Sequence, residues 1–138
     1  MIPSAGGEPV AKFVLPPGAT NSSWSPDSKS VTYIDRNKGW SVMRQPIAGG
    51  EPTELTHFTE GVTTGFSWPR DGAYVVAVRQ IGQRVGLWSV QPGKGDAKLL
   101  VEFRSGTITG VRFAPEGTRV PFVYATSSKD VVLISDFQ

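Results

Sequence analysis

Asp27, Asp71 and the single histidine, His57, are the residues that acid–base chemistry would draw on in this chain of 138 residues. A pair of carboxylates can divide the work of acid and base, as in glycoside cleavage. Asp27 stands in Trp24-Ser25-Pro26-Asp27-Ser28-Lys29, and Asp71 in Trp68-Pro69-Arg70-Asp71-Gly72. Glu116 takes the same place in Phe113-Ala114-Pro115-Glu116-Gly117. An acidic residue recurring at one position of a repeated turn is expected to cap that turn, because Asp hydrogen-bonds its own local backbone. His57, in Leu55-Thr56-His57-Phe58, falls on an expected outer strand, and nothing brings it to a nucleophile. Gly6-Gly7 and Gly49-Gly50 would cradle a phosphate only ahead of a helix, and no helical pattern follows either. Cysteine is absent, so disulfides, thiolate metal sites and cysteine nucleophiles are excluded, and one histidine excludes a multi-histidine metal site. No catalytic residue, metal or cofactor is expected.

The elements that carry these residues repeat. Gly6-Gly7-Glu8-Pro9 returns as Gly49-Gly50-Glu51-Pro52 after 43 residues, and as a worn copy at Gly93-Lys94-Gly95-Asp96. Trp24, Trp68 and Phe113 are spaced by 44 and 45 residues. Val42-Met43, Leu87-Trp88 and Val132-Leu133 are spaced by 45 both times. Between the turn signals lie short runs of β-branched and aromatic residues. Four strands are expected per repeat. The first is Glu8–Val14, Glu51–Phe58 and Asp96–Phe103. The second centres on Ser22–Trp24, Gly65–Trp68 and Gly110–Phe113. The third is Val31–Ile34, Tyr74–Val78 and Val120–Tyr124. The fourth is Trp40–Gln45, Val85–Gln91 and Asp130–Ser135. Glycine and proline together, 16 and 11 residues, disfavour long helices.

A four-stranded unit of this period is a propeller blade. The expected fold is therefore all-β, three four-stranded blades in one domain, with repeats at about 6–47, 48–91 and 92–138. Trp24, Trp68 and Phe113 are expected to wedge between blades. The residues Trp24 to Lys29, Gly49 to Pro52 and Leu55-Thr56 resemble the TolB-type propeller repeat, a relative of the WD repeat. Ser28 replaces that pattern's Gly, and Pro69-Arg70 replace its Ser-Pro. Val42 to Ile47 and the ending Asp130 to Phe137 resemble the C-terminal propellers of some bacterial serine/threonine kinases. That resemblance implies a sensory or interaction part of a larger bacterial protein and allows an extracytoplasmic domain. Pro121, inside an expected strand, should weaken or bulge the third blade, since it removes a ladder donor.

Three blades do not close a ring, which takes about four to eight. In blade order the chain begins with an outermost strand, and its last blade lacks one. Open edges and apolar end faces drive association. The expectation is a two-fold homodimer closing a six-bladed β-propeller, with Val10, Lys12 and Val14 of one copy laid along Val131 and Leu133 of the other.

Function should reside where the repeats differ. One face is expected to collect Arg36, Lys38, Arg79, Arg84, Arg104 and Lys129 against Asp35, Glu60 and Asp130. The opposite face is slightly acidic. Arg112 breaks its repeat, for Ser23 and Ser67 are its counterparts. It should pair with a carboxylate near the axis or point into channel water. Lys38, Arg79, Arg84 and Arg112 are thus the candidate ligand-binding residues, facing a small anion or an acidic protein; the other reading is an ordinary solvated surface. Net charge is only +2, which gives no case for nucleic acid. No apolar run is long enough to span a membrane, and Met1–Gly7 lacks the features of a secretory signal. Three functions stand: a non-enzymatic propeller scaffold that binds a partner, a channel-type propeller hydrolase or lyase, and a purely architectural self-assembling repeat.

Overall fold

A computed structural model describes residues 6–7, 14–93, 97–113, 119–126 and 131–134, the last four by their backbone alone. Eleven strands follow one another: β1 (Ala19–Trp24), β2 (Ser30–Asp35), β3 (Ser41–Pro46), β4 (Thr53–Glu54), β5 (Val62–Ser67), β6 (Val75–Ile81), β7 (Arg84–Val90), β8 (Ala97–Phe103), β9 (Thr107–Thr109), β10 (Phe122–Ala125) and β11 (Val131–Ile134). The only helical turn among the described residues is a 3-10 turn at Arg36–Lys38. None of the described segments is a helix long and apolar enough to cross a membrane.

The strands form three antiparallel sheets in chain order: β1-β2-β3-β4, β5-β6-β7-β8 and β9-β10-β11. Each four-stranded sheet takes its outer strand, β4 or β8, from the segment that opens the next sequence repeat. The sheets are therefore offset from the repeats by one strand. Glu8–Pro9 to Phe13, with Val10 and Lys12, lie outside the described residues; Val14 is 96% exposed and in no strand. β11, with Val131 and Leu133, is an edge of its sheet, paired to β10 through Ala125–Val131 and Val123–Leu133.

Two expected strands are shorter than their sequence suggested. Of Glu51–Phe58 only Thr53–Glu54 joins the ladder. Beyond it the Thr56 hydroxyl, not a strand carbonyl, accepts from Val42 N at 2.8 Å. Gly110–Phe113 is not strand, and the first strand of the third sheet is Thr107–Thr109. Arg112 N donates to Pro121 O at 3.3 Å, but proline has no N–H to return the bond, so the ladder stops there.

The core lies between sheets. Val76, Val78, Val85 and Leu87 of the second sheet pack against Ile108, Val120 and Phe122. Ile34, Val42 and Leu55 of the first sheet receive Phe66 and Trp68. Trp68 wedges as expected: its indole N–H donates to Thr32 Oγ1 at 3.1 Å, and Arg44 lies over its ring at 5.2 Å. Phe113 meets Tyr74 edge-on at 5.6 Å. Trp24 does not wedge; it is 43% exposed, because no described sheet precedes β1. The expected bare end face is also absent from the first sheet. Val31, Tyr33 and Met43 are buried, as are Ile34 and Val42 on the other side.

Two of the repeated acidic turns are capped by their carboxylates, while Glu116 of the third lies outside the described residues. Asp27 Oδ1 accepts from Lys29 N at 2.9 Å and from the Ser25 hydroxyl at 2.7 Å. These bonds, the backbone one foremost, hold its carboxyl below the usual range. Asp71 Oδ1 accepts from Ala73 N at 3.0 Å. Gly72 has φ 68° in this turn, and Ser28 at the same place is forced to φ 60°. Ser28→Gly should therefore raise stability by about 0.5–1 kcal/mol, the left-handed strain outweighing glycine's extra chain entropy. Thermal denaturation of the two proteins measures it; an unchanged or lower midpoint would count against the strain.

Candidate functional site

The four candidate cations do not converge. Lys38 is exposed in the 3-10 turn, and Arg84 opens β7 with Glu102 of β8 at 3.5 Å. Arg79 corrects the expectation of a solvent-facing cation: it is 1% exposed. Its Nη1 donates to Thr63 Oγ1 at 2.7 Å, its Nη2 donates to Glu60 O, and its guanidinium stacks on Phe58 at 3.8 Å. Burial lowers its pKa to about 10, with the Glu60 charge opposing, so it stays protonated at neutral pH. The reason it turns inward is repeated in the chain. Forty-five residues on, Tyr124 stacks on Phe103 at 3.9 Å and donates to Ser105 O at 2.7 Å. In the first sheet Asn37 Nδ2 donates to Pro17 O at 2.7 Å. Each acceptor precedes a glycine at positive φ, Gly18, Gly61 or Gly106, and a Cβ on Gly61 or Gly106 would fall 2.5 Å from a strand carbonyl. Three different side chains thus fasten one carbonyl at the entrance to each first strand.

His57 is also structural. Its Nδ1 lies 3.1 Å from Glu54 Oε1, which accepts from the Ser41 hydroxyl at 2.6 Å. The Ser41 bond and then the imidazole hold the Glu54 carboxyl below its ordinary value. The carboxylate stands between serine and histidine, so the histidine has no path to the hydroxyl proton.

Arg112 is the one candidate cation that lines the clefts described next. The first strands of the sheets, β1, β5 and β9, line a cleft of about 470 Å³, with Asn21, Thr64, Gln80, Thr107, Thr109 and Arg112 as its polar groups. An adjoining cleft of about 710 Å³ shares Asn21, Phe66, Val111 and Arg112 with it and adds Ser22, Ser23, Trp24, Ser67, Trp68, Arg70 and Phe113. Among the described residues, no Asp, Glu or His lines either cleft. Asn21 was not legible as a site residue. It occupies a bulge in β1 at φ 52°, and its Nδ2 donates to Thr64 O at 2.9 Å, tying the first two sheets. Its only sequence signal is that asparagine tolerates the left-handed region. Arg112 is exposed and has no ion pair among the described residues, so the expected carboxylate partner is not found there.

Sheets in chain order, each presenting its first strand to a common cleft and its last to the outside, decide the architecture. The fold is that of a TolB-like β-propeller piece. A putative TolB from Agrobacterium tumefaciens matches it with a TM-score of 0.74 at 24% identity, over 97% of this chain and 50% of that one. TolB from Acinetobacter baumannii matches with 0.69 at 18%, over 83% and 29%. An oligogalacturonate lyase in complex with manganese matches with 0.71 at 15%, over 86% and 38%. This propeller piece spans half or less of the length of these structures. No family model and no curated protein matches the sequence.

Proposed function

We propose that this chain is a non-enzymatic binding module, a half-propeller whose first-strand cleft takes a ligand and whose ring a second copy completes. The observation that carries the binding role is the cleft itself: hydroxyl, amide and guanidinium groups from three sheets face one space that no carboxylate or imidazole of the described residues lines. Such groups bind and orient, and they lack the acid–base pair that hydrolysis or elimination needs. Propellers also serve as enzymes, so fold alone decides nothing here. The likeness of residues 42–47 to kinase-attached propellers fits a sensory part of a larger bacterial protein.

Ring completion is supported by the half-length match to the putative TolB and by the edge at β11, which pairs with no further strand among the described residues. An unpaired strand edge is a template for a further chain. Light scattering should give twice 14.8 kDa for the chain in solution. A monodisperse monomer would remove the second copy from the proposal. The cleft is tested separately, by amide shift mapping against panels of anionic, cationic and neutral small molecules. Perturbations centred on Thr64, Thr107 and Arg112 are the expected result; ligands that bind elsewhere, or not at all, would refute the binding role.

A further inference from the structure

The inner position held by Ser23 and Ser67 in the first two repeats is held by Arg112 in the third. A solvent-exposed arginine needs no partner, but this one lies in a walled cleft with its backbone fixed by the bond from its N–H to Pro121 O. Arg70, from the turn after β5, lines the same cleft, so among the described residues two guanidinium groups and no carboxylate line it. No described lining residue opposes the two guanidinium charges, which therefore attract an anion. The rest of the lining mixes hydroxyl groups of Ser22, Ser23 and Ser67 with aromatic rings. Trp24 is 43% exposed there, with Trp68 and Phe113 beside it. Asn21, in its left-handed bulge, fixes the rim where the two clefts join. Strained backbone at a cleft rim is a common accompaniment of ligand sites.

We infer that the larger cleft binds an organic carboxylate with a flat apolar body, the carboxylate on the Arg112 guanidinium and the body against Trp24. This rests on the reading of the first-strand cleft as a binding site and adds the class of its ligand. Guanidinium groups bind carboxylates through two parallel N–H bonds, and aromatic rings take planar bodies offset or edge-on. A bare inorganic anion would leave the aromatic wall unused. A C-terminal aromatic residue of a peptide and a free aromatic acid share this chemistry.

The probes are N-acetylphenylalanine, its primary amide, a tripeptide ending in free phenylalanine, and inorganic phosphate. Binding is read by tryptophan fluorescence and by the indole N–H resonances. The acid, or the tripeptide, should bind at least tenfold more tightly than the amide, and binding should weaken as salt rises. Arg112→Gln should weaken it at least tenfold. Arg112→Lys should restore part, since the charge returns without the planar fork. Trp24→Ala should weaken it severalfold, and Lys38→Gln, outside the cleft, should change nothing. Tighter binding by the tripeptide than by the free acid would name a peptide terminus as the source, and the reverse a small molecule; either supports the class. Equal binding of acid and amide, indifference to Arg112→Gln, or full competition by phosphate would overturn the inference. Neutral molecules alone mapping to the cleft would overturn it while leaving the binding role intact. Nothing mapping to the cleft would end both.

Discussion

Replacing Arg79 with alanine is expected to lower the stability of the folded chain by about 3 kcal/mol, the combined loss of charge-assisted hydrogen bonds and of buried volume. The side chain is 1% exposed, holds Thr63 and the Glu60 carbonyl, and covers Phe58. Alanine leaves that carbonyl without its donor and opens a void beneath the aromatic ring. Arg79→Tyr is the informative control. Tyr124 already performs the same two tasks in the next repeat, stacking on Phe103 and donating to Ser105 O. Tyrosine at 79 should therefore retain well over half of the stability that alanine loses. Urea denaturation of the three proteins, at equal m-value, measures both effects. If alanine and tyrosine destabilise alike, the carbonyl fastening is not what Arg79 contributes.

Trp68→Ala should cost about 3 kcal/mol, the lower end for a tryptophan removed from a core. Its ring sits among Ile34, Val42 and Leu55, gives a hydrogen bond to Thr32 and lies beneath Arg44, so its loss separates the first two sheets. Trp24→Ala, at the equivalent position of the first repeat, should stay within about 0.5 kcal/mol, as for most surface changes. Equal losses from the two substitutions would show that Trp24 has a covered face.

The contrast between the two tryptophans marks how far the sequence could be followed. Spacing placed both at one repeat position, and the runs Val31–Ile34, Val85–Gln91 and Asp96–Phe103 located β2, β7 and β8 closely. Those strands are dictated by local alternation and turn chemistry, which a single sequence carries. Whether a tryptophan is wedged or wet depends on a neighbouring sheet, which spacing alone does not describe. Arg79 escaped for a related reason. It ends the apolar run Val75–Val78, and a cation there looks like the start of a loop. Its partner Phe58 is 21 residues away, and its repeat counterparts, Asp35 and Tyr124, are of quite different residue types. The requirement was for a donor at one carbonyl, and residue type does not display such a requirement. Arg112 was legible because it interrupts a series of serines. Asn21 was not, since its role is a backbone conformation.

The one-strand offset between repeat and sheet bears on how the chain is made. Every ladder among the described residues joins strands that are neighbours in the sequence, so each hairpin can form soon after its second strand leaves the ribosome. The first sheet, however, cannot gain β4 until the opening of the following repeat has been synthesised, and the second waits likewise for β8. A nascent chain halted at a repeat boundary therefore carries a three-stranded last sheet with a bare outer edge. At about 5–20 residues per second that edge stays open for one second or so per repeat. Growth of this kind hands each unfinished sheet to the next stretch of message, so that translation itself sets the order in which the edges are sealed.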